Sequence, residues 1–285
     1  MTVAAVVVVL AGAAAATVVW LRASPTGQSG QSALQRQEAA YRVGASAWVA
    51  RFVTPGTTIG CDRQMCAVLA ARNYAASDLR VLGPTSNPLL TDIVIVTPRV
   101  RSLFGSYLNS EDAPLRLTTI GSGRAVITIR VVAPHGAAVY VRQLATDRRA
   151  REVDGAALLG SSRITTSAAA ARQMASGLVD TRLLFVMSAL AAAEPIHIMN
   201  FGNVAVGQNA ALPLRFADLF VRDPAARLSP AVYVAALRRV LTSVPAAFRP
   251  RSVSTLVLAD HAQVLRVQFG APSPLGLLAP AHSGG

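Results

Sequence analysis

The only two cysteines of the chain lie five positions apart, as Cys61 and Cys66. Asp62 between them is a natural N-cap, which places the cysteines at the two positions that touch in a hydrophobic staple. A disulfide there would stabilise the fold by about 2 kcal/mol. The spacing therefore predicts a structural disulfide. Two reduced buried thiols are one alternative and a redox or metal function is another, although the C-x-x-C spacing of thiol oxidoreductases is absent.

A second group of polar residues follows the buried-strand patterns of the first half of the chain. Asp62 follows one short strand pattern, and Thr97, Arg99 and Arg101 end or follow the apolar run at 92–97. Because ligands meet the loops at the carboxyl ends of parallel strands, these four residues form a candidate anion-binding site. The two arginines would bind a phosphate or a uronic carboxylate through paired hydrogen bonds from their guanidinium groups. The alternative is an arginine surface that only meets solvent.

The histidines give no catalytic or metal-binding pattern. His197 alternates with isoleucines in a strand, His135 and His282 fall in a loop and in the tail, and Asp260 with His261 forms a hairpin tip. The motifs G-x-S-x-G, G-x-G-x-x-G and H-E-x-x-H are absent. We therefore predict no catalytic residue, no metal site and no cofactor.

The positive charge of the chain is carried by arginine alone. Its 285 residues hold 27 Lys+Arg and 14 Asp+Glu for a net charge of +13, and none is lysine. The absence of lysine excludes a Walker A site and Schiff-base chemistry. Aromatic residues make up only 5%, which leaves little surface for stacking bases, so nucleic acid is not the expected partner. Anionic phospholipids or wall polymers remain as polyanions that such a surface would meet.

The N-terminal stretch has the character of a membrane anchor. Residues 2–21 carry no charge, and Trp20 and Arg22 suit the interface at its end. About twenty helical residues span ~30 Å, the thickness of the hydrocarbon core. We predict a transmembrane anchor over 1–22. A cleaved signal peptide, with small residues at 13–16, and a buried helix are the alternatives.

The positive charges and the cysteine pair predict opposite orientations for that anchor. No Lys or Arg precedes the span, whereas Arg22, Arg36 and Arg42 follow it, so the positive-inside rule taken literally keeps the body in the cytoplasm. The close cysteine pair favours an oxidising compartment, and a start codon further upstream would add a basic leader. We expect a plasma-membrane protein whose main body is extracytoplasmic.

Hydrophobic patterns divide the remainder into four segments. Residues 23–37 are predicted as a flexible stalk, 38–160 as an α/β domain, 161–271 as an α+β domain and 272–285 as a loose tail. Strands are predicted at 57–60, 79–82, 92–97, 115–120, 125–132, 196–201, 212–220, 253–258 and 264–269. The expected fold class is thus α/β and α+β, with one transmembrane helix followed by two small three-layer or sandwich α/β subdomains.

The first block resembles a known kind of domain in the order of its motifs. These are Ala-Trp-Val at 47–49, Pro-Gly at 55–56, Cys61 to Cys66, the run at 92–97, Phe-Gly-Ser at 104–106 and Gly-Ser-Gly at 121–123. Over residues 40–134 the chain is similar to the extracytoplasmic C-terminal α/β domain of actinobacterial membrane glycosyltransferases. It also resembles stand-alone, single-anchor actinobacterial envelope proteins of unknown function. The resemblance implies an envelope-facing accessory domain without transferase activity, because transferase acids lie in loops between many membrane helices.

We expect a membrane-anchored, extracytoplasmic binding or scaffolding protein of the bacterial cell envelope that is not an enzyme. Its expected partners are the membrane, through the N-terminal helix, and an anionic envelope glycan or lipid or a membrane protein complex. The alternative is an envelope glycan-processing hydrolase or transferase without a recognisable motif. Two carboxylates converging in a pocket would favour the enzyme, and an arginine-lined face would favour binding.

Overall fold

A computed structural model of the chain describes residues 26–203, 207–222, 224, 227–258 and 263–277, with side chains from residue 33 onward. The predicted anchor at 1–22 lies outside these ranges, as do Asp260, His261 and His282. Within the described ranges, no helix combines the length and the apolar character needed to cross a bilayer. The protein is of mixed α/β class with two five-stranded sheets, as the sequence predicts in outline.

The first half of the chain builds the first sheet. Its strands are β1 Ile59–Cys61, β2 Leu79–Val81, β3 Ile93–Val96, β4 Leu115–Ile120 and β5 Ile127–Val131. The helices of this half are α1 Thr26–Phe52, α2 Arg63–Ala70, α3 Pro98–Phe104 and α4 Ala137–Leu159. The strand order is β2-β1-β3-β5-β4. β1 pairs in parallel with β2 and β3, whereas β5 runs antiparallel to β3 and β4.

The central strand β3 is buried on both faces, as its continuous β-branched run predicts. Ile93 and Ile95 join the core that α1 and α2 share, while Val94 and Val96 pack with Val100 of α3. Helices therefore cover both faces of this sheet. Since β1 and β3 are parallel, the loops that follow them emerge at the same edge.

The second half of the chain builds the second sheet. Its strands are β6 Ile164–Thr166, β7 Ile196–Gly202, β8 Phe216–Phe220, β9 Ser252–Val257 and β10 Gln263–Gln268. Its helices are α5 Ala168–Ala175, α6 Thr181–Ala193 and α7 Pro230–Ser243. The order is β6-β7-β8-β10-β9, with only the β6–β7 pair parallel among these strands. β6 is absent from the sequence-based strands because only Ile164 of its three residues is buried, so no hydrophobic pattern marks it.

The predicted flexible stalk at 23–37 is corrected by the structure, since α1 begins at Thr26 and runs without a break to Phe52. Residues 33–40 are Ala, Leu, Gln, Arg, Gln, Glu, Ala and Ala, all of them strong helix formers. Their combined propensity outweighs the Gly and Ser content that suggested a stalk.

Helix α4 connects the two cores. Tyr140 and Leu144 near its start are buried in the first core, and Leu158 and Leu159 at its end pack against the second. Gly160 forms its C-cap. The domain division that the sequence places after residue 160 stays a prediction, because the helix before that point contacts both halves.

The segment after β10 returns to the first half of the molecule. The Ala271 N–H donates to the Phe52 carbonyl at 2.7 Å, and the Thr54 N–H donates to the Ala271 carbonyl at 2.8 Å. Leu275 packs against the first core. Residues 272–277, which the sequence predicts as part of a loose tail, are therefore packed on the body. The rest of that predicted tail lies outside the described residues.

Candidate functional site

A cleft opens where the parallel strands of the first sheet end. Asp62 follows β1, Leu82 follows β2 and Thr97 follows β3, so the three connections meet at one edge. The connection after β1 leads to one side of the sheet, to β2, and the connection after β3 leads to the other side, to β4. Such switch points are where open α/β sheets bind ligands. The cavity, which we call the strand-end cleft, has a volume of about 550 Å³. Its lining residues are Glu38, Arg42, Asp62, Arg63, Gln64, Val81, Leu82, Gly83, Pro84, Arg99 and Leu103.

Two N-caps meet at the base of this edge. Asp62 caps α2, and its Oδ1 accepts the Met65 N–H at 2.9 Å. Thr97 caps α3, and its Oγ1 accepts the Val100 N–H at 3.2 Å. The Thr97 hydroxyl in turn donates to Asp62 Oδ2. Both side chains are buried, so the sequence-predicted pair lies together at the edge as a fixed polar link.

The cysteines beside Asp62 form the predicted disulfide. Cys61 ends β1 and Cys66 lies in α2, with their Cα atoms 5.5 Å apart, inside the usual range for a disulfide. The Cys66 N–H also donates to the Asp62 carbonyl at 2.9 Å. The covalent bond thus holds the end of the strand, the cap and the first turns of the helix in one arrangement.

Arg42 enters the cleft from α1 and is buried, with 8% of the residue exposed. Its Nη1 donates to Glu38 Oε2 at 3.1 Å, and its Nη2 lies 3.7 Å from Asp62 Oδ2. Its Nε is buried and finds no hydrogen-bond partner among the described residues. Buried donors normally have partners, so the hydrogen-bonding capacity of Arg42 is not fully used by the described residues.

Arg63 and Arg99 line the cleft and are exposed. Arg63 is the first residue of α2, and Arg99 lies in the first turn of α3. Neither guanidinium forms an ion pair or a hydrogen bond with any described residue. A positive side chain in the first turn of α2 opposes the helix dipole, so folding alone does not favour Arg63 at its position.

Arg101, the fourth predicted residue, lies elsewhere. Its Nη2 donates to the Val126 carbonyl at 2.9 Å, which ties α3 to the start of β5. Positions two apart on a helix point about 200° away from each other, so Arg99 and Arg101 face different neighbours. The arginine that shares the strand-end cleft with Arg99 is Arg63.

Sequence reasoning missed Glu38, Arg42 and Arg63. Glu38 and Arg42 are four positions apart on α1, the spacing of a helical ion pair, and that was the available signal. Nothing local could place α1 beside the end of β1, because that contact is tertiary. Arg63 was detectable, since it directly follows the predicted cap Asp62.

The described histidines do not approach the cleft lining. His197 Nδ1 lies 2.9 Å from Thr165 Oγ1 and its ring packs edge-on against Phe220. His135 is exposed just before α4. Among the residues that the structure describes, no three His, Cys, Asp or Glu side chains are grouped to hold a metal ion.

The charges of the strand-end cleft suit an anionic ligand better than acid–base chemistry. Asp62 has both oxygens engaged, one by the Met65 N–H and the other by Thr97 and Arg42. It therefore acts as a structural anchor for its neighbours. Comparison with family models, with curated proteins and with solved structures finds no match for this chain.

Proposed function

We propose that this chain is a membrane-anchored, extracytoplasmic binding or scaffolding protein of the bacterial cell envelope, and that its strand-end cleft takes an anionic group of an envelope glycan or lipid. The observation that carries the proposal is the trio of arginines at a switch point. Arg63 and Arg99 bring two unpaired guanidinium groups, and Arg42 brings a buried free N–H. Guanidinium groups bind phosphate and carboxylate in preference to neutral groups.

The location in the envelope rests on other features. The Cys61–Cys66 disulfide is the kind of bond that persists in oxidising compartments. The uncharged stretch at 2–21 has the length of a membrane span. The resemblance of residues 40–134 to extracytoplasmic actinobacterial domains supports the same location.

One observation favours an enzyme as second candidate. Glu38 and Asp62 are two carboxylates that line one cleft, and glycan hydrolases act through a pair of carboxyl groups. Arg42 engages both of them, and Asp62 is saturated by its other contacts. Removal of the Glu38 charge by Glu38→Gln separates the candidates: it abolishes glycan turnover in the enzyme and leaves anion binding intact in the binding protein.

The binding proposal is tested with the full-length protein in neutral detergent against a panel of anionic envelope glycans and lipids. The double variant Arg63→Ala with Arg99→Ala should weaken binding about 100-fold, which is about tenfold for each lost charge contact. The matched control is Arg172→Ala with Arg239→Ala, which removes two exposed arginines outside the cleft. Equal loss in both double variants would show that net charge alone governs binding.

The location is tested separately by placing one reactive cysteine on the surface. Ala169 is exposed on α5, and Ala169→Cys offers a thiol that the native disulfide does not. A membrane-impermeant maleimide should label this variant in intact cells. Labelling that appears only after lysis would place the body in the cytoplasm.

A further inference from the structure

A second cleft lies at the junction of α1 with the second sheet. It has a volume of about 460 Å³, within the range of small-molecule sites. Ser252, Ser254 and Leu256 line it from β9, which is expected since alternate residues of a strand share a face. Arg266 and Gln268 line it from β10. Arg51 and Arg251 complete the wall, and we call this cavity the junction cleft.

The junction cleft is lined by three arginines and no carboxylate. Arg266 is neutralised from behind by Asp218, with Nε–Oδ1 and Nη2–Oδ2 distances of 2.7 and 2.8 Å. Arg251 is held by neutral carbonyls, donating from Nε to Arg51 at 3.3 Å and from Nη2 to Ala50 at 2.5 Å. These carbonyls of the last turn of α1 orient the guanidinium and offset only part of its charge.

Arg51 adds the second uncompensated charge. Its guanidinium carbon lies 5.1 Å from the centroid of the Phe52 ring, and it forms no ion pair with any described residue. Arg51 and Arg251 therefore face the cavity as two cations without a counter-charge. Two guanidinium groups at one cavity match the charge of a phosphate group.

Neutral polar groups stand beside these cations. Gln268 is 7% exposed, and its amide makes no hydrogen bond with any described side chain or backbone group. Gln268 lines the cleft, and its amide offers both a donor and an acceptor to a ligand there. The hydroxyls of Ser252 and Ser254 offer the same pair of functions nearby. A bare anion would use donors only, so the acceptors indicate a ligand that also carries hydroxyl groups.

We propose that the junction cleft binds the phosphate ester of a small polyol, with Arg51 and Arg251 on the phosphate and Gln268 and the two serines on the hydroxyl groups. This site is independent of the strand-end cleft. Arg42 and Arg51 are nine positions apart on α1, about two and a half turns, so they emerge on opposite sides of the helix.

The test uses the full-length protein in neutral detergent and isothermal titration calorimetry. sn-Glycerol 3-phosphate is the soluble probe, with glycerol and inorganic phosphate as the matched fragments. Mixed micelles of the detergent with phosphatidylglycerol, compared with mixed micelles with phosphatidylcholine, present glycerol as a phosphodiester in a lipid head group. Binding of either phosphoester supports the proposal and identifies the source of the ligand, and binding of neither overturns it.

A paired substitution on β9 reports the location of binding. Ser254 lies directly opposite Arg266 on the neighbouring strand, so Ser254→Asp inserts a carboxylate into the cleft as a favourable cross-strand pair that preserves folding. Thr255→Asp makes the same change one residue later, on the other face of the strand, at an exposed position.

We expect Ser254→Asp to weaken phosphoester binding at least about tenfold, because it opposes the ligand charge at close range. Thr255→Asp and the Arg63→Ala, Arg99→Ala variant should each stay within about twofold of the native protein. Equal weakening by Ser254→Asp and Thr255→Asp would overturn the site. Inorganic phosphate that binds as tightly as its glycerol ester would overturn the polyol part of the ligand.

Discussion

The hydroxyl of Thr97 donates a hydrogen bond to the carboxylate of Asp62, and it joins the N-cap of α3 to the N-cap of α2. Each residue also accepts an N–H from its own helix, so the starts of two helices are held at a common point beneath the strand-end cleft. The positions of Arg63 and Arg99 at the rim follow from this link, since each begins its helix within two residues of a cap.

Loss of the Thr97 hydroxyl should lower the free energy of unfolding by more than the loss of an N-cap alone. Thr97→Val removes the cap of α3 and leaves a buried carboxylate oxygen of Asp62 short of a donor, so we expect unfolding free energy to fall by about 2–4 kcal/mol. Thr97→Ser keeps both contacts, so we expect it to lower the free energy of unfolding by less than about 1 kcal/mol. Urea unfolding of the two variants measures the difference. Equal losses would mean that the link between the caps contributes nothing.

Reduction of the disulfide should lower stability moderately. The loop between Cys61 and Cys66 is short, so its closure contributes about 2 kcal/mol, which corresponds to roughly 4–8 °C in Tm for a chain of this size. Thermal unfolding with and without dithiothreitol measures this. The double variant Cys61→Ala, Cys66→Ala is the control and should melt at one temperature in both buffers. A native protein indifferent to the reductant would contradict the assignment.

The packing of α1 against the β4–β5 turn should be weakened when a methyl group is added at Gly121. Gly121 and Gly123 both have positive φ, +75° and +67°. A Cβ at Gly121 would lie 2.1 Å from Tyr41 Cε2 on α1, whereas a Cβ at Gly123 meets open space. Gly123→Ala should therefore cost about 1–2 kcal/mol from backbone strain, and Gly121→Ala about 1–3 kcal/mol more from the clash. Chemical denaturation compares them, and identical losses would argue against this contact.

Acid should destabilise the protein through a buried ion pair. Asp180 is buried, which raises its pKa, but the charge and hydrogen bonds of Arg182 outweigh burial and hold the pKa below its ordinary value. The two contacts are 3.0 Å from Nε to Oδ1 and 2.8 Å from Nη2 to Oδ2. Because the unfolded chain takes up the proton first, the contribution is complete above about pH 4 and is lost as the pH falls towards the lower native pKa.

The variant Asp180→Asn checks this pH dependence. Asn keeps the N-cap of α6 but leaves Arg182 buried without a counter-charge, so we expect a loss of about 3–5 kcal/mol at neutral pH. The loss of stability below about pH 4 should become shallower than in the native protein. Guanidinium unfolding across that range gives both quantities. An unchanged acid slope would assign the acid sensitivity to other carboxylates.

Strong local patterns account for what the sequence predicts correctly. The buried run of β3 and the cap at Asp62 are determined by neighbouring residues, so their structure is readable from the chain alone. The short strand β6 has only Ile164 as its buried residue, and its existence depends on pairing with β7. The helical start of α1 was missed because glycine and serine suggested a linker more strongly than the following residues suggested a helix.

The residues of the strand-end cleft also separate into those that a local pattern predicts and those that depend on tertiary contacts. Asp62, Thr97 and Arg99 follow predicted strands, so the topology of a parallel sheet was enough to bring them together. Arg101 required the rotation of α3, and Arg42 required the packing of α1 beside β1, neither of which a linear pattern contains. Tertiary contacts thus decide which arginines face a ligand.

The unbroken course of α1 has a consequence for the anchored protein that we propose. Its 27 residues form a rod about 40 Å long, in place of the flexible stalk that the sequence predicts. Each residue inserted ahead of Glu38 would lift the body by about 1.5 Å and turn it by about 100°. If the proposed anchor joins this helix directly, the length of the helix sets how far the strand-end cleft and the junction cleft stand from the lipid and which way they face.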